Sequence, residues 1–426
     1  MKKFFEFMEK YLVPFMTKLS EQRHLRAVRD GIISTIPLII VGSFFLIIAM
    51  PPVPAWAEAV KPYIGKIMFP YRLTMGIMAL YAAFGIGHNL AKTYKLDALA
   101  GGGLAVAAFL LTNLPVSIEQ NDLGWVLPLA NLGGSGMFTA ILMSIFAVEV
   151  LRFTKEKNLT IKMPEGVPES VANSFAALIP AAIIIFFIWI VRGILNFDIQ
   201  AFILNIFKPL VVAGNTLPGV LVPIVLVTLL WACGIHGDSI VGTVARPIWL
   251  TLLDGNMAAK AAGNAMPNIA PEPFFQWFVW IGGSGATLAL VFLMLFSKSK
   301  YLKDLGKACI IPGICNINEP VIFGVPIMLN PMFMIPFILA PLVSGIITYY
   351  AMFFNIVARP CVLAPWTLPA PIGAYFATGG DWKAVVLVII NIVLSVLIYY
   401  PFFKAYEKKM LEEQKENIEA ETNATM

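Results

Sequence analysis

Charge is scarce in this chain. Of its 426 residues, 13% are Asp, Glu, Lys or Arg, while 59% are hydrophobic. A soluble domain carries about 25% charged and about 45–50% apolar residues. A globular core cannot hide that excess, so a soluble catalytic domain is excluded. Cysteine is equally sparse. Four in 426 residues rules out a disulfide-stapled secreted scaffold. Cys233, Cys309, Cys315 and Cys361 all lie in or beside apolar segments, where packing is their expected role. There are three histidines and no clustered His/Cys pattern, so no metal site is expected. No Walker A sequence is present, which excludes ATP hydrolysis by that route, and no cofactor is expected. The net charge of +5, from 30 basic and 25 acidic residues, is small and dispersed, which argues against nucleic-acid binding.

What the chain does have is long uncharged apolar runs, the mark of a polytopic membrane protein embedded in a lipid bilayer. They fall at roughly 31–50, 73–91, 98–114, 133–148, 171–191, 209–235, 274–297, 321–358 and 384–403. Most suit one helical crossing of a hydrocarbon layer about 30 Å thick. The run 321–358 is too long, since as a helix it would extend nearly ~57 Å. Pro326, Pro331, Pro336 and Pro341 also interrupt it. It reads as one span preceded by irregular or re-entrant backbone, which membranes tolerate only where it lines a protein cavity.

Lysine and arginine set the orientation. Segments 1–30, 92–97, 152–170, 298–320 and 404–426 hold 21 of them, and the alternate segments 51–72, 115–132, 192–208 and 359–383 hold 7. This bias places the first set, and both termini, in the cytoplasm. Two cytoplasmic termini require an even number of crossings, so the polar-spotted segment 236–273 must supply a tenth. It contains His236, Asp238, Arg246, Asp254, Lys260 and Glu272. Ionisable groups at membrane depth are costly and usually face a wet cavity. The plainer reading is loops joined by an amphipathic helix.

The N-terminus is not a signal peptide, because Glu6 and Glu9 interrupt it. Phe4, Phe5, Met8, Tyr11, Leu12, Phe15, Met16 and Leu19 recur at helical spacing, so 1–30 reads as a helix lying on the inner membrane surface. The tail from Lys404 reads as a frayed cytoplasmic helix. His24 is expected to be solvated, and His88 to cap carbonyls at a helix end. Gly101-Gly102-Gly103 and Gly133-Gly134-Ser135-Gly136 are expected to serve close helix packing. For Gly282-Gly283-Ser284-Gly285, packing and backbone exposed to a ligand stand level.

Two polar clusters carry the chemistry. The first is Gly234-Ile235-His236-Gly237-Asp238. Its flanking glycines predict a helix break, and free backbone groups beside an imidazole can bind a polar solute. The alternative is a structural histidine satisfied by a carbonyl. The second is Cys315-Asn316-Ile317-Asn318-Glu319-Pro320. Pro320 disfavours helical backbone at Glu319, which places that carboxylate at the tip of a re-entrant hairpin. A buried carboxylate needs donors. Sugar hydroxyls are suitable ones, and Asn316 and Asn318 both donate and accept. The alternative is that Glu319 pairs with Arg246 or Arg359 to hold the fold. Six tryptophans, at 231, 249, 277, 280, 366 and 382, lie in the second half. Most membrane tryptophans are interface anchors. Trp366 and Trp382, which flank a Pro/Gly-rich stretch, are the cavity candidates.

The order GIHGDS at 234–239, IGGSGAT at 281–287 and ICNINEPVIFG at 314–324 resembles the membrane IIC components of the bacterial sugar phosphotransferase system, in the lactose/cellobiose/diacetylchitobiose branch. Gln22-Arg23-His24-Leu25 and Arg29-Asp30-Gly31 fit the same family, and the similarity covers almost the whole chain. The resemblance implies an all-α membrane fold of ten transmembrane helices with two re-entrant hairpins. It implies an N-terminal half, 31–208, forming a homodimer scaffold, and a C-terminal half, 209–403, that binds one disaccharide and moves to give alternating access. It further implies that Glu319 and His236 contact the hydroxyl to be phosphorylated, with Asn318 and Asn316 beside them. Asp238, Gly282, Ser284, Trp366 and Trp382 complete the candidate sugar ligands. The phosphoryl donor would be a phosphocysteine on a separate IIB protein, fed by IIA, at the cytoplasmic face of a bacterial inner membrane. Two other readings keep the same residues: a proton-coupled secondary transporter relaying through Glu319 and His236, and a sugar-binding sensor without flux.

Overall fold

The structure, a computed structural model, describes residues 22–49, 54–118, 124–161, 163–164, 166–325, 327–328 and 330–424. The surface helix expected over 1–30 lies outside these residues up to position 21. From Gln22 onward the chain is helical, as α1 (Arg23–Ile33) and α2 (Ile36–Ala49). The Gln22 side chain caps α1 by accepting from the Leu25 N–H at 2.7 Å. The N-terminal half continues through α3 (Ile64–Leu73), α4 (Met78–Thr93), α5 (Ala98–Leu111), α6 (Met137–Glu156), α7 (Leu178–Trp189) and α8 (Ile199–Gly214). Small residues bring these helices together. A Cβ on Gly31 of α1 would strike the Ile86 backbone of α4, and one on Gly101 of α5 would strike Ala91 and the Gly87 carbonyl of α4. Among the described residues the strand structure is one antiparallel pair, β1 (Val116–Ile118) and β2 (Gly124–Val126), with Val116 opposite Val126.

The second half comprises α9 (Leu217–Ala232), α10 (Gly237–Ala261), α11 (Leu288–Leu295), α12 (Lys300–Ile314), α13 (Glu319–Gly324), α14 (Pro331–Phe353), α15 (Ala370–Ala377) and α16 (Trp382–Ala424). Among the described residues, four continuous helical stretches are long and apolar enough to cross a membrane: Gly134–Glu156, Ser170–Ile194, Met332–Phe353 and Trp382–Glu412. Two bent pairs add to them, Glu58–Leu73 with Met75–Thr93 at 43° and Ile199–Gly214 with Leu217–Ala232 at 83°. The sharper bend has a local cause. Thr216 caps α9 through its side chain, accepting from the Gly219 N–H, and Pro218 occupies the first turn.

Several expected spans divide. The run 209–235 begins its helix only at Leu217, because Pro209 lies in the preceding helix and Asn215-Thr216 breaks the chain. The run 274–297 is not one span. A π-helical stretch Phe275–Val279 and a glycine turn precede the eight-residue α11. The run 321–358 does split into a short helix, irregular backbone and one long helix, though Pro336 and Pro341 are accommodated inside α14. Segment 236–273 contributes the 25-residue α10, about 37 Å long and so of membrane-crossing length. The C-terminal tail continues the last apolar helix without a break, as the 43-residue α16.

α10 joins the two halves. Its Asp254 carboxylate accepts the Ser135 N–H at 2.8 Å, and the Thr251 hydroxyl reaches the Gly134 carbonyl at 3.3 Å. A Cβ at Gly134 would crowd Leu250 and Asp254, so the 133–136 glycines serve this contact. His24 is not simply solvated. Its Nε2 pairs with Glu149 at 2.9 Å, in a cluster where Arg23 and Arg152 both lie over the Tyr94 ring. His88 caps no carbonyl. It stacks on Phe84 with its Nδ1 buried and unpartnered.

Candidate functional site

The first polar cluster is a helix stop followed at once by a helix start. Gly234, at φ +81°, ends α9 in the left-handed conformation, and the Ile235 N–H closes back on the Leu230 carbonyl at 2.9 Å. His236 is the N-cap of α10. Its Nδ1 lies 3.2 Å from the Ser239 N–H and 2.9 Å from the Ser239 hydroxyl. A backbone N–H can only donate, so Nδ1 is an acceptor and the ring proton sits on Nε2. His236 therefore offers Nε2–H as a donor. Gly237 must be glycine here, because a Cβ would strike the Val227 backbone of α9. Asp238, in the first turn of α10, accepts from Trp231 Nε1 at 3.0 Å and from the Ser284 hydroxyl.

Ser284 belongs to the glycine turn 282–285, whose three glycines adopt φ of +81°, +96° and +83°. The second polar cluster closes over this turn. Asn316, itself left-handed at φ +62°, accepts the Gly282 N–H at 3.0 Å and donates to the Trp366 and Leu368 carbonyls at 2.9 and 3.0 Å. Asn318 donates to the Ser284 carbonyl at 2.7 Å. A chain of direct hydrogen bonds thus links four segments far apart in sequence. It encloses a cavity of about 350 Å³, within the about 300–1,000 Å³ usual for small-molecule sites.

His236, Asp238, Ser284, Asn316, Asn318, Glu319 and Trp366 all line that cavity. Gly282 does not; its backbone N–H is spent on Asn316. Trp382 does not either. It opens α16 with 66% of its surface exposed. Asn316 and Asn318 are only 8% and 5% exposed and use their amides on backbone partners, so their work is to shape the wall. The sequence expectation of a buried Glu319 is corrected. Asn318 holds the N-cap position of α13 with its side chain turned to Ser284, and Glu319, the first residue of that helix, is exposed at the cavity with no hydrogen bond or ion pair among the described residues. Neither arginine pairs with it. Arg359 is occupied by the Met266, Pro267 and Met352 carbonyls.

Sequence reasoning missed several lining residues. Gln276 and Trp280 come from the segment read as a plain span, Glu272 reads in sequence only as a polar spot, and Arg246 as a polar spot or a partner for Glu319. Gln276 is the sole amide side chain in 274–297, a signal that could have marked it. Arg246 Nε is buried without a partner, a donor left unused by the protein.

Indole walls from Trp231, Trp280 and Trp366, with an imidazole donor and carboxyl acceptors between them, suit a small uncharged solute rich in hydroxyls. Set among helices of membrane-spanning length, this cavity defines a membrane carrier for such solutes. The profile of the family described as phosphotransferase system, EIIC matches residues 29–341. The chain is 43% identical to the lichenan permease IIC component of Bacillus subtilis, over 98% of this chain and 96% of that one. It is 42% identical to the cellobiose-specific EIIC component of Geobacillus stearothermophilus, over 97% of each. Among solved structures, the transporter ChbC, the IIC component of the N,N'-diacetylchitobiose-specific phosphotransferase system, superimposes with a TM-score of 0.90 at 43% identity, covering 96% of this chain and 99% of that one. The chain belongs to the EIIC family, the multi-pass membrane permease components of the sugar phosphotransferase system.

Proposed function

We propose that this permease imports a β-linked disaccharide, of the cellobiose or diacetylchitobiose type, by alternating access and presents its 6-hydroxyl to a separate phosphorylated IIB protein. The names of its relatives support the substrate class. The observation that carries the reading is the pairing of an unpartnered carboxylate, Glu319, with an Nε2–H donor, His236, on one cavity. Glu319 accepts the hydroxyl proton while His236 donates to the same oxygen, so the oxygen's remaining lone pair can face the phosphorus. As the hydroxyl oxygen bonds to phosphorus, the S–P bond of the IIB phosphocysteine breaks, the thiolate leaves, and Glu319 holds the proton.

In this reading residues 31–208 form the scaffold of a homodimer and residues 209–403 the mobile sugar-binding half. Both termini face the cytoplasm, as the 21-to-7 distribution of cations supports. Ten crossings satisfy that parity. Reconstituted vesicles test the function: labelled cellobiose outside, with phosphorylated IIB inside or absent. Cellobiose 6-phosphate should appear inside only with phosphorylated IIB. Unmodified sugar accumulating under a pH gradient would overturn the proposal in favour of proton coupling, and binding without flux would point to a sensor.

A further inference from the structure

The last helix never reaches the cavity, yet it grips the segment that builds it. Of the buried polar side chains that α16 carries, three are bonded toward the site segment: Asn391, Tyr399 and Glu407, exposed by 0%, 0% and 3%. All three bond to one stretch of chain. Asn391 donates to the Phe278 carbonyl at 3.0 Å, ahead of the glycine turn. Tyr399 donates to the Gly285 carbonyl at 2.8 Å, within it. Glu407 accepts from the Ser297 hydroxyl at 2.6 Å and the Lys298 N–H at 2.7 Å, just ahead of α12, the helix that leads to Asn316 and Glu319. Burying a hydroxyl costs free energy unless it is bonded, so a tyrosine here needs this partner.

The middle contact bears on the site. Gly282, Gly283 and Gly285 have no side chains with which to anchor the turn, and their left-handed backbone is the kind glycine adopts freely. Its position is therefore set by the groups that hold it. On the cavity side these are Asn316, Asn318 and Asp238; within the segment the Thr287 hydroxyl donates to the Gly282 carbonyl at 2.7 Å; on the far side they are the Tyr399 hydroxyl and the Phe337 ring, which a Cβ on Gly285 would strike. The same turn places Ser284 against Asp238 and supports Asn318, the neighbour of Glu319.

We propose that Tyr399 is a positioning residue for phosphoryl transfer: through the Gly285 carbonyl it holds the glycine turn, and through that turn the alignment of Glu319 with His236. This rests on the reading that Glu319 and His236 receive the reacting hydroxyl. The sugar rings would still lie against Trp231, Trp280 and Trp366, so loosening the turn should disturb alignment rather than binding. A misplacement of about 1 Å can cost on the order of 10²-fold in rate.

The test measures IIB-dependent phosphorylation by the full chain in vesicles, with cellobiose, or with diacetylchitobiose if that is turned over faster. Tyr399→Phe removes one hydroxyl and keeps the shape. It should lower kcat about tenfold and leave KM within about twofold, the pattern of an interaction lost from the transition state alone. Replacing Tyr399 with p-aminophenylalanine restores a donor and should recover most of kcat. Ser395→Ala, which removes a buried hydroxyl of the same helix that has no partner, should leave both constants unchanged. If Tyr399→Phe does not assemble, fluorinated tyrosines and p-aminophenylalanine at this position grade donor strength, and kcat should follow that grading. A normal kcat in Tyr399→Phe, a raised KM with unchanged kcat, or a flat response to donor strength would overturn the proposal. Glu319→Gln run alongside separates the two claims: if it turns over normally, the site reading fails, whereas its loss with a normal Tyr399→Phe sinks the positioning role alone.

Discussion

At the scale of single residues, the cavity divides its polar groups into those already satisfied and those left open. Asn316 spends its amide on three backbone partners, and Asp238 accepts from Trp231 and Ser284. Glu319 has no partner among the described residues, and His236 has one ring nitrogen committed and the other free to donate. Sequence alone singled out both, because a carboxylate before proline and a histidine between glycines are out of place in an apolar chain. It could not tell that the asparagines beside Glu319 look inward to backbone, since that depends on partners some 34 to 52 positions away. Glu319→Gln should cut sugar phosphorylation by about 10²-fold or more while the protein still assembles, measured as sugar phosphate formed per folded molecule. Histidine 236 has two separable duties. His236→Asn keeps a good helix cap and should retain thermal stability while losing sugar affinity. His236→Ala should lose both, with about 1 kcal/mol of stability gone with the cap, read from melting curves and equilibrium binding.

At the scale of elements, the site depends on places where helices stop. α9 ends at a left-handed glycine, the 282–285 turn uses three more, and Asn316 takes a left-handed turn before α13. The glycines and prolines that mark these breaks are visible in sequence, which is why 234–238 and 315–320 were legible. The run 274–297 was less so: its glycines were visible, but nothing in its apolar sequence announced the π-helical stretch Phe275–Val279 ahead of them. Trp382 misled for a related reason: proximity to a Pro/Gly-rich stretch says nothing about which way the following helix departs. The turn's dependence on Asn316 gives a prediction. Asn316→Ala removes three buried hydrogen bonds and puts alanine in a left-handed conformation that asparagine tolerates better, so it should destabilise the protein by about 2–4 kcal/mol. Calorimetry in detergent checks this. A melting temperature equal to the parent's would show that the hairpin tip does not need that clamp.

For the whole molecule, charge distribution and apolar length announced a membrane protein before any site was in view. The number of helices that stand alone as spans was harder to read, since bends at residue 74 and at residues 215–216 divide what hydropathy treats as units. α10 is the helix that the polar-spotted segment 236–273 forms, and its polarity has two destinations. His236, Asp238 and Arg246 turn to the cavity, and Asp254 turns to the glycine turn of the N-terminal half. Asp254→Ala leaves the Ser135 amide without its acceptor. It should lower stability by about 1–3 kcal/mol and change sugar affinity per folded molecule by less than about twofold, since Asp254 lies outside the cavity. The central claim is that this cavity presents a sugar hydroxyl to Glu319 and His236. The most direct test is an experimental structure of the protein with cellobiose bound. The 6-hydroxyl should lie about 2.6–3.2 Å from both the Glu319 carboxylate and His236 Nε2. A disaccharide bound elsewhere, or in this cavity with its 6-hydroxyl turned away from Glu319, would contradict the account.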